Sequence, residues 1–231
     1  TRVNKPTPIQ VLRGESPEEE TNVAPAGSDY LINIVMISAG ANHALALTKT
    51  GYVWAWGDNT YGQRGIEAKN SKYSQYASFT VKGASAGDNA DGALNDFIDI
   101  TIGDTFISAL RRDGNVFSWG SGSYGQIGKG FFTEALAPTQ AVNGESASST
   151  AYLRNIVKIS AGAYHNIALS DDSSVYAWGR NDNGQLGNST KDNSISPVRV
   201  EGIDNVVDIA VGLNHTLLLT NTGDIYAFGD G

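Results

Sequence analysis

The chain has 231 residues, 40% of them hydrophobic, with a net charge of −8 and no cysteine. That length suits one large domain, or part of a bigger one, with a real core. The composition excludes disulfides, thiolate metal sites and a Cys nucleophile, a pI near 4.8 argues against nucleic acid, and no run of 18 apolar residues is present to span a membrane as a helix.

In chain order, the first predicted element is TPIQVLRG (7–14), which closes residues 1–14 as one outer strand of a sheet. Proline near its beginning suits an edge strand, which can spare the N–H. An acidic connection, 15–33, follows. Residues 34–83 then form a unit of four predicted strands: IVMISAG (34–40), HALAL (43–47), VWAWG opening the stretch 53–65, and ASFTVKG (77–83). Residues 97–144 repeat it with FIDITIG, FISAL, VFSWGSGSYGQIG and APTQAVNG, and residues 156–202 with IVKISAG, HNIAL, VYAWGRNDNGQLG and SPVRVEG. Residues 206–231 hold three strands of a fourth unit, VVDIAVG, HTLLL and IYAFG. Repeats of this period mark a solenoid, propeller or array.

The spacing identifies the rigid part. Gly40, Gly103, Gly162 and Gly212 are 63, 59 and 50 residues apart, yet each lies 16 residues before Trp56, Trp119, Trp178 or Phe228. A fixed internal distance within variable outer ones means one structural unit with loop insertions between copies. Turns between second and third strands (TKTG, RRDG, DDSS, TNTG) are short and polar, as hairpins require. The first strand reads as near-continuously apolar, hence buried on both faces. In the third, a period of two puts Tyr176 and Trp178 on one face and Val175 and Ala177 on the other, so a bulky face of one unit can meet a small face of the next.

The combination of an apolar strand with Ala-Gly, then His, then Trp-Gly (Gly57, Gly120, Gly179, Gly229 after the aromatics), then Asn-x-x-Gly-Gln-Leu-Gly resembles the repeats of the regulator of chromosome condensation family. Residues 156–202 match nearly throughout, whereas the second unit has Phe106 at the His position and lacks the Asn. The resemblance implies an all-β fold, a β-propeller of four-stranded blades, with about four blades in this chain as a single domain or arc. Members usually have seven, so the chain reads as an arc of a larger propeller; the alternatives are two combined chains, or a smaller ring in which 7–14 completes the last blade. An open arc would expose blade faces and self-associate.

Motifs that suggest chemistry have plainer readings. GSGSYG (120–125) satisfies G-x-G-x-x-G, but sister repeats carry GDNTYG and GRNDNG there and no helix is expected after it. GASAG (83–87) satisfies G-x-S-x-G without the strand-to-helix setting that would activate Ser85. His43, His165 and His215 occupy equivalent positions in different blades, so they spread around a ring rather than gather on a metal. DNADG (88–92) and NDNG (181–184) miss the calcium-loop register and are good turn formers. No cofactor, metal or catalytic group is expected.

The connections 15–33, 84–96, 145–155 and 203–205 carry charges of −5, −3, 0 and −1, a sum of −9 that exceeds the whole chain's −8. In an up-and-down blade they all emerge at one end, where a rigid scaffold presents binding loops. The expected function is therefore a non-enzymatic protein-interaction scaffold whose acidic face, through Glu15, Glu18, Glu19, Glu20, Asp29, Asp88, Asp91 and Asp96, meets a basic protein partner. Guanine-nucleotide exchange on a small GTPase is the alternative that the resemblance implies. Gln63, Gln126 and Gln185 are structural repeat positions expected in turns at the opposite end, where substitution should spare binding. Cysteine-free usage points to a bacterial-type member, extracellular or at the cell surface; cytoplasmic or nuclear placement is the alternative.

Overall fold

The computed structural model describes residues 7–13, 30–66, 73–79, 94–144 and 151–231. Within them fifteen strands and no helix form four antiparallel sheets. Blade 1 contains β1 (Ile34–Ala39), β2 (His43–Thr48), β3 (Val53–Asp58) and β4 (Tyr73–Phe79). Blade 2 contains β5 (Phe97–Ile102), β6 (Phe106–Arg111), β7 (Val116–Gly120) and β8 (Ala135–Gln140). Blade 3 contains β9 (Ile156–Ala161), β10 (His165–Ser170), β11 (Val175–Gly179) and β12 (Ser194–Arg199). Blade 4 has three strands, β13 (Val206–Val211), β14 (His215–Thr220) and β15 (Ile225–Gly229). Strand order follows chain order in every sheet, and β5 touches both β1 and β9 while β9 touches β13. The first strand of each blade thus lies innermost, as in a β-propeller.

The innermost strands depart from the expected burial on both faces. Each carries a bulge at its second residue, where pairing skips Val35, Ile98, Val157 or Val207. These four side chains stay largely exposed along the inner wall. A bulge bends the strand and re-aims the extra residue, so a hydrophobic sequence here does not mean a fully covered strand.

Blade-to-blade packing follows the large-on-small scheme. Trp178 and Tyr176 join Leu110, Val116 and Ala141 of blade 2, whereas Val175 and Ala177 join Val206, Ile209 and Leu218 of blade 4. Trp119 likewise packs with Leu45, Leu47 and Ala55 of blade 1.

Among the described residues the N-terminal segment does not pair with β15, as a ring closed by it would require. Leu12 bridges Tyr30, Arg13 bridges Ala77 of β4, and the Leu31 N–H donates to Val11 C=O at 3.0 Å. The same pattern joins Val142 to Tyr152 and Leu153 N–H to Ala141 C=O ahead of blade 3. Residues 7–13 therefore stand to blade 1 as 137–144 stand to blade 3, and no described strand pairs with the outer side of β15. Ala77 explains the bridge to β4. Its sister positions are Pro138 and Pro197, which have no N–H, whereas the Ala77 N–H needs an acceptor and finds Leu12 C=O at 3.1 Å.

Candidate functional site

The residues that recur most faithfully build the junctions between blades. In the turn after each third strand, the Gln63, Gln126 or Gln185 side-chain carbonyl accepts the backbone N–H two residues earlier, at 2.8–2.9 Å. The main-chain carbonyl of the same glutamine accepts from the next blade: from Trp119 Nε1 at Gln63, from Trp178 Nε1 and Asn166 Nδ2 at Gln126, and from the Thr216 hydroxyl at Gln185, at 2.8–3.0 Å. All three glutamines are buried. The turn thus packs against the following blade, where it satisfies the Trp119 or Trp178 indole N–H or the Thr216 hydroxyl.

Gly103, Gly162 and Gly212 have an equally local reason, whereas a Cβ on Gly40 would strike the Gly103 carbonyl of the next blade. A Cβ on Gly103 would overlap the Phe106 ring, and one on Gly162 or Gly212 would overlap the ring of His165 or His215. The ring three residues on folds back over its glycine. Burial holds His43 and His165 at a pKa of about 4, with added repulsion from His215 for His165. Both are neutral at pH 7. His165 Nε2 lies 3.2 Å from the Thr216 hydroxyl. The histidines stay at separate junctions, and among the described residues no three His, Cys, Asp or Glu side chains gather as metal ligands.

One recurring position escaped sequence reasoning. Asn33, Asp96, Asn155 and Asn205 precede each first strand with φ of 56–66°, and their carbonyls accept from Lys49, Arg112, Asp171 and Asn221 N–H groups at 2.9–3.0 Å. Asn and Asp tolerate this left-handed conformation best after glycine. The signal was present, since each lies seven residues before the repeat glycine. Asn59 and Asn181 are the Asn of the repeat motif: their side-chain carbonyls accept Arg64 and Leu186 N–H at 2.9 Å and close the glutamine turn.

Of the acidic set, Asp96 is described. It is exposed, with its carboxylate 3.7 Å from Arg112 Nε, an exposed pair of small energetic weight. Glu15, Glu18, Glu19, Glu20, Asp29, Asp88 and Asp91 lie outside the described residues, as do Ser85 and the stretch 88–92. Strand directions nevertheless fix the ends of the molecule. Hairpin turns between second and third strands and all inter-blade connections leave at one end, the connection end; the glutamine turns lie at the other, the turn end.

A family model described as the RCC1-like domain matches residues 5–231. The chain belongs to that family. This RCC1-like domain is 30% identical over 189 residues to human E3 ubiquitin-protein ligase HERC2, covering 81% of the chain and 4% of HERC2. It is 29% identical over 172 residues to protein pim1 of Schizosaccharomyces pombe, covering 72% of the chain and 31% of pim1. Among solved structures it resembles human WBSCR16 (TM-score 0.71, 24% identity, 86% of this chain and 47% of that one) and Prp20p from Saccharomyces cerevisiae (TM-score 0.56, 24% identity, 85% and 57%). It thus spans a small part of these curated relatives. The relatives named are eukaryotic, which lends no support to the bacterial and extracellular readings of the cysteine count. Among the described residues no helix is long and apolar enough to cross a membrane.

Proposed function

We propose that this RCC1-like domain is a non-catalytic protein-interaction scaffold that presents the acidic loops of its connection end to a basic protein partner. One observation carries the reading: the strand topology sends every inter-blade connection out at one end, and those connections hold −9 of formal charge. The repeated polar residues that could suggest chemistry are taken up in the junctions, which leaves the loops as the variable part of the repeat. Nothing in the described residues singles out a wedge for guanine-nucleotide exchange, so the scaffold reading is preferred.

The test is association kinetics with a partner recovered by pull-down. Reversing Glu18, Glu19 and Glu20 to Lys should slow association and flatten its salt dependence, because surface charge acts mainly on the encounter rate. Tyr61→Ser, an uncharged exposed position at the turn end, should leave the rate unchanged. Equal association by the charge-reversed chain would sink the proposal. Self-association belongs to the same reading: the outward face of blade 4 exposes Leu217, Leu219, Ile225 and Tyr226. Light scattering should show species above the monomer, and a clean monomer would count against it.

A further inference from the structure

The turn end carries a feature that the repeat does not require. At the junction of blades 2 and 3, the turn after β7 and the segment 129–134 both rest on the start of β12. Gly130 N–H donates to Ile195 C=O at 2.9 Å, and a Cβ on Gly125 would strike the Ser194 carbonyl. A Cβ on Gly122 would strike the Thr133 carbonyl, so the turn and the segment also touch each other. On this pinned backbone Phe131 and Phe132 are 67% and 55% exposed. In the same turn, two residues after Gly122, the Tyr124 ring lies 5.2 Å from that of Tyr164, with the Arg180 guanidinium over both at 5.3 and 5.9 Å.

The sister junction shows that none of these side chains serves the fold. Blade 3 has the same spacing from the turn glycine to the fourth strand, with Ser189 at the left-handed position of Gly130. There Thr190 and Lys191 replace the two phenylalanines, while Asn183, Asn214 and Asp230 replace Tyr124, Tyr164 and Arg180. The same backbone is built without aromatics. Two neighbouring phenylalanines held rigidly in water are costly unless covered, and Tyr and Arg are the side chains that dominate protein contact energies.

We infer that this part of the turn end is a second docking surface, for an apolar segment of a protein partner, anchored by Phe131 and Phe132 and flanked by the Tyr124–Tyr164–Arg180 pad. Charge selects the chemistry of the occupant. Arg180 Nε is engaged by Asp182 at 2.7 Å and the Lys129 ammonium by Glu134 C=O at 2.7 Å, so the cations beside the aromatics are held within the surface. An apolar contact insensitive to salt follows, unlike the connection end. A membrane is disfavoured by the net charge of −8, which anionic headgroups repel.

The test uses random 12-residue peptides displayed on phage and panned against the whole chain. Selected peptides rich in Leu, Phe and Trp should bind wild type, lose at least tenfold in affinity to F131S/F132S, and change less than twofold between low and high salt. Thr190→Phe/Lys191→Phe, which moves the phenylalanines to the sister loop, should not restore binding, since the Tyr–Arg pad is absent there. The inference is overturned if no such peptide is selected, or if the double variant binds as well as wild type. It is equally overturned if F131S/F132S abolishes self-association, which would make a second copy the occupant, or if phosphatidylcholine vesicles sediment the wild type and not the variant.

Discussion

The junction between blades 1 and 2 and that between blades 2 and 3 share one backbone and differ in what fills it. Between blades 1 and 2, Leu45 and Ala55 meet Ile107 in a wholly apolar contact. At the same positions between blades 2 and 3 stand Ser108, Ser118 and Asn166, all buried. The two serine hydroxyls lie 2.7 Å apart, Ser108 donates to Asn166 Oδ1 at 2.9 Å, and Asn166 Nδ2 donates to Gln126 C=O at 2.8 Å. The caps differ in the opposite sense: His43 covers the 1–2 junction, and apolar Phe106 takes its place at 2–3. A repeat that stacks by one rule could pair any blade with any other. A satisfied polar network at one junction stabilises only the correct neighbour, since every misplaced pairing leaves buried groups unmet.

The largest test removes what the junctions share. Trp178→Ala deletes a fully buried side chain and its bond to Gln126 C=O, and should cost about 3–5 kcal/mol in chemical denaturation. Trp56→Ala, at a half-buried side chain packed against the cluster of Ala46, Trp54 and Ala77, should cost clearly less. Equal losses would mean that the junctions do not carry the stability.

Acid should separate the junctions. His43 and His165 have folded pKa values of about 4, below the ordinary 6.5, so the folded chain binds fewer protons than the unfolded one in between. Their contribution is complete above pH 6.5 and is lost as pH falls towards 4, with a slope approaching about 1.4 kcal/mol per pH unit for each histidine. His43→Phe, which installs the residue that blade 2 already uses, should remove one such slope from the urea-denaturation profile. An unchanged profile would show that His43 is not protonated on unfolding.

Much of this was legible in the sequence, for reasons that particular residues make plain. The interval from Gly40 to Trp56 recurs unchanged because ring, glycine and hairpin fix one another sterically, and steric rules write themselves into spacing. The large and small faces of β11 followed from a period of two. The burial of Gln126 did not, since a polar residue in a Gly-rich turn looks like surface until its neighbour's indole is placed above it. The Ser108–Ser118–Asn166 network was equally hidden: it joins residues 58 positions apart that become adjacent only when blades stack. The bridge from Arg13 to Ala77 was hidden as well, because no pattern of strands shows that the Ala77 N–H takes Leu12 C=O as its acceptor.

A smaller effect tests that network. Asn166→Ala leaves Ser108 without its acceptor and should cost about 1–3 kcal/mol, the usual penalty for a buried group left unmet. Combining Ser108→Leu, Ser118→Ala and Asn166→Ile recreates the apolar filling of the 1–2 junction and should recover most of that loss, because replacing all partners together leaves nothing unsatisfied. If the triple variant is stable but populates mixed oligomers in light scattering, the network specifies pairing. If it is stable and behaves as wild type, the polar filling contributes nothing to specificity.

The smallest effect separates the two roles of Asp96, which the sequence offers as a partner contact and the structure uses as a left-handed residue. Its carboxylate makes one long, exposed ion pair with Arg112, while its backbone sits at φ 66° and its carbonyl accepts the Arg112 N–H. Asp96→Asn keeps the conformational tolerance and removes the charge, so stability should stay within about 0.5 kcal/mol of wild type. Asp96→Ala removes both and should cost about 1–2 kcal/mol, the penalty for a Cβ without local polar compensation in that region. Asp96→Gly should fall between them, freed of the steric cost but carrying the entropy of a more flexible unfolded chain. With stability so accounted for, any change in partner association caused by Asp96→Asn reports the carboxylate alone. An Asn variant as unstable as the Ala variant would mean that the ion pair, and not the turn, is what holds this residue in place.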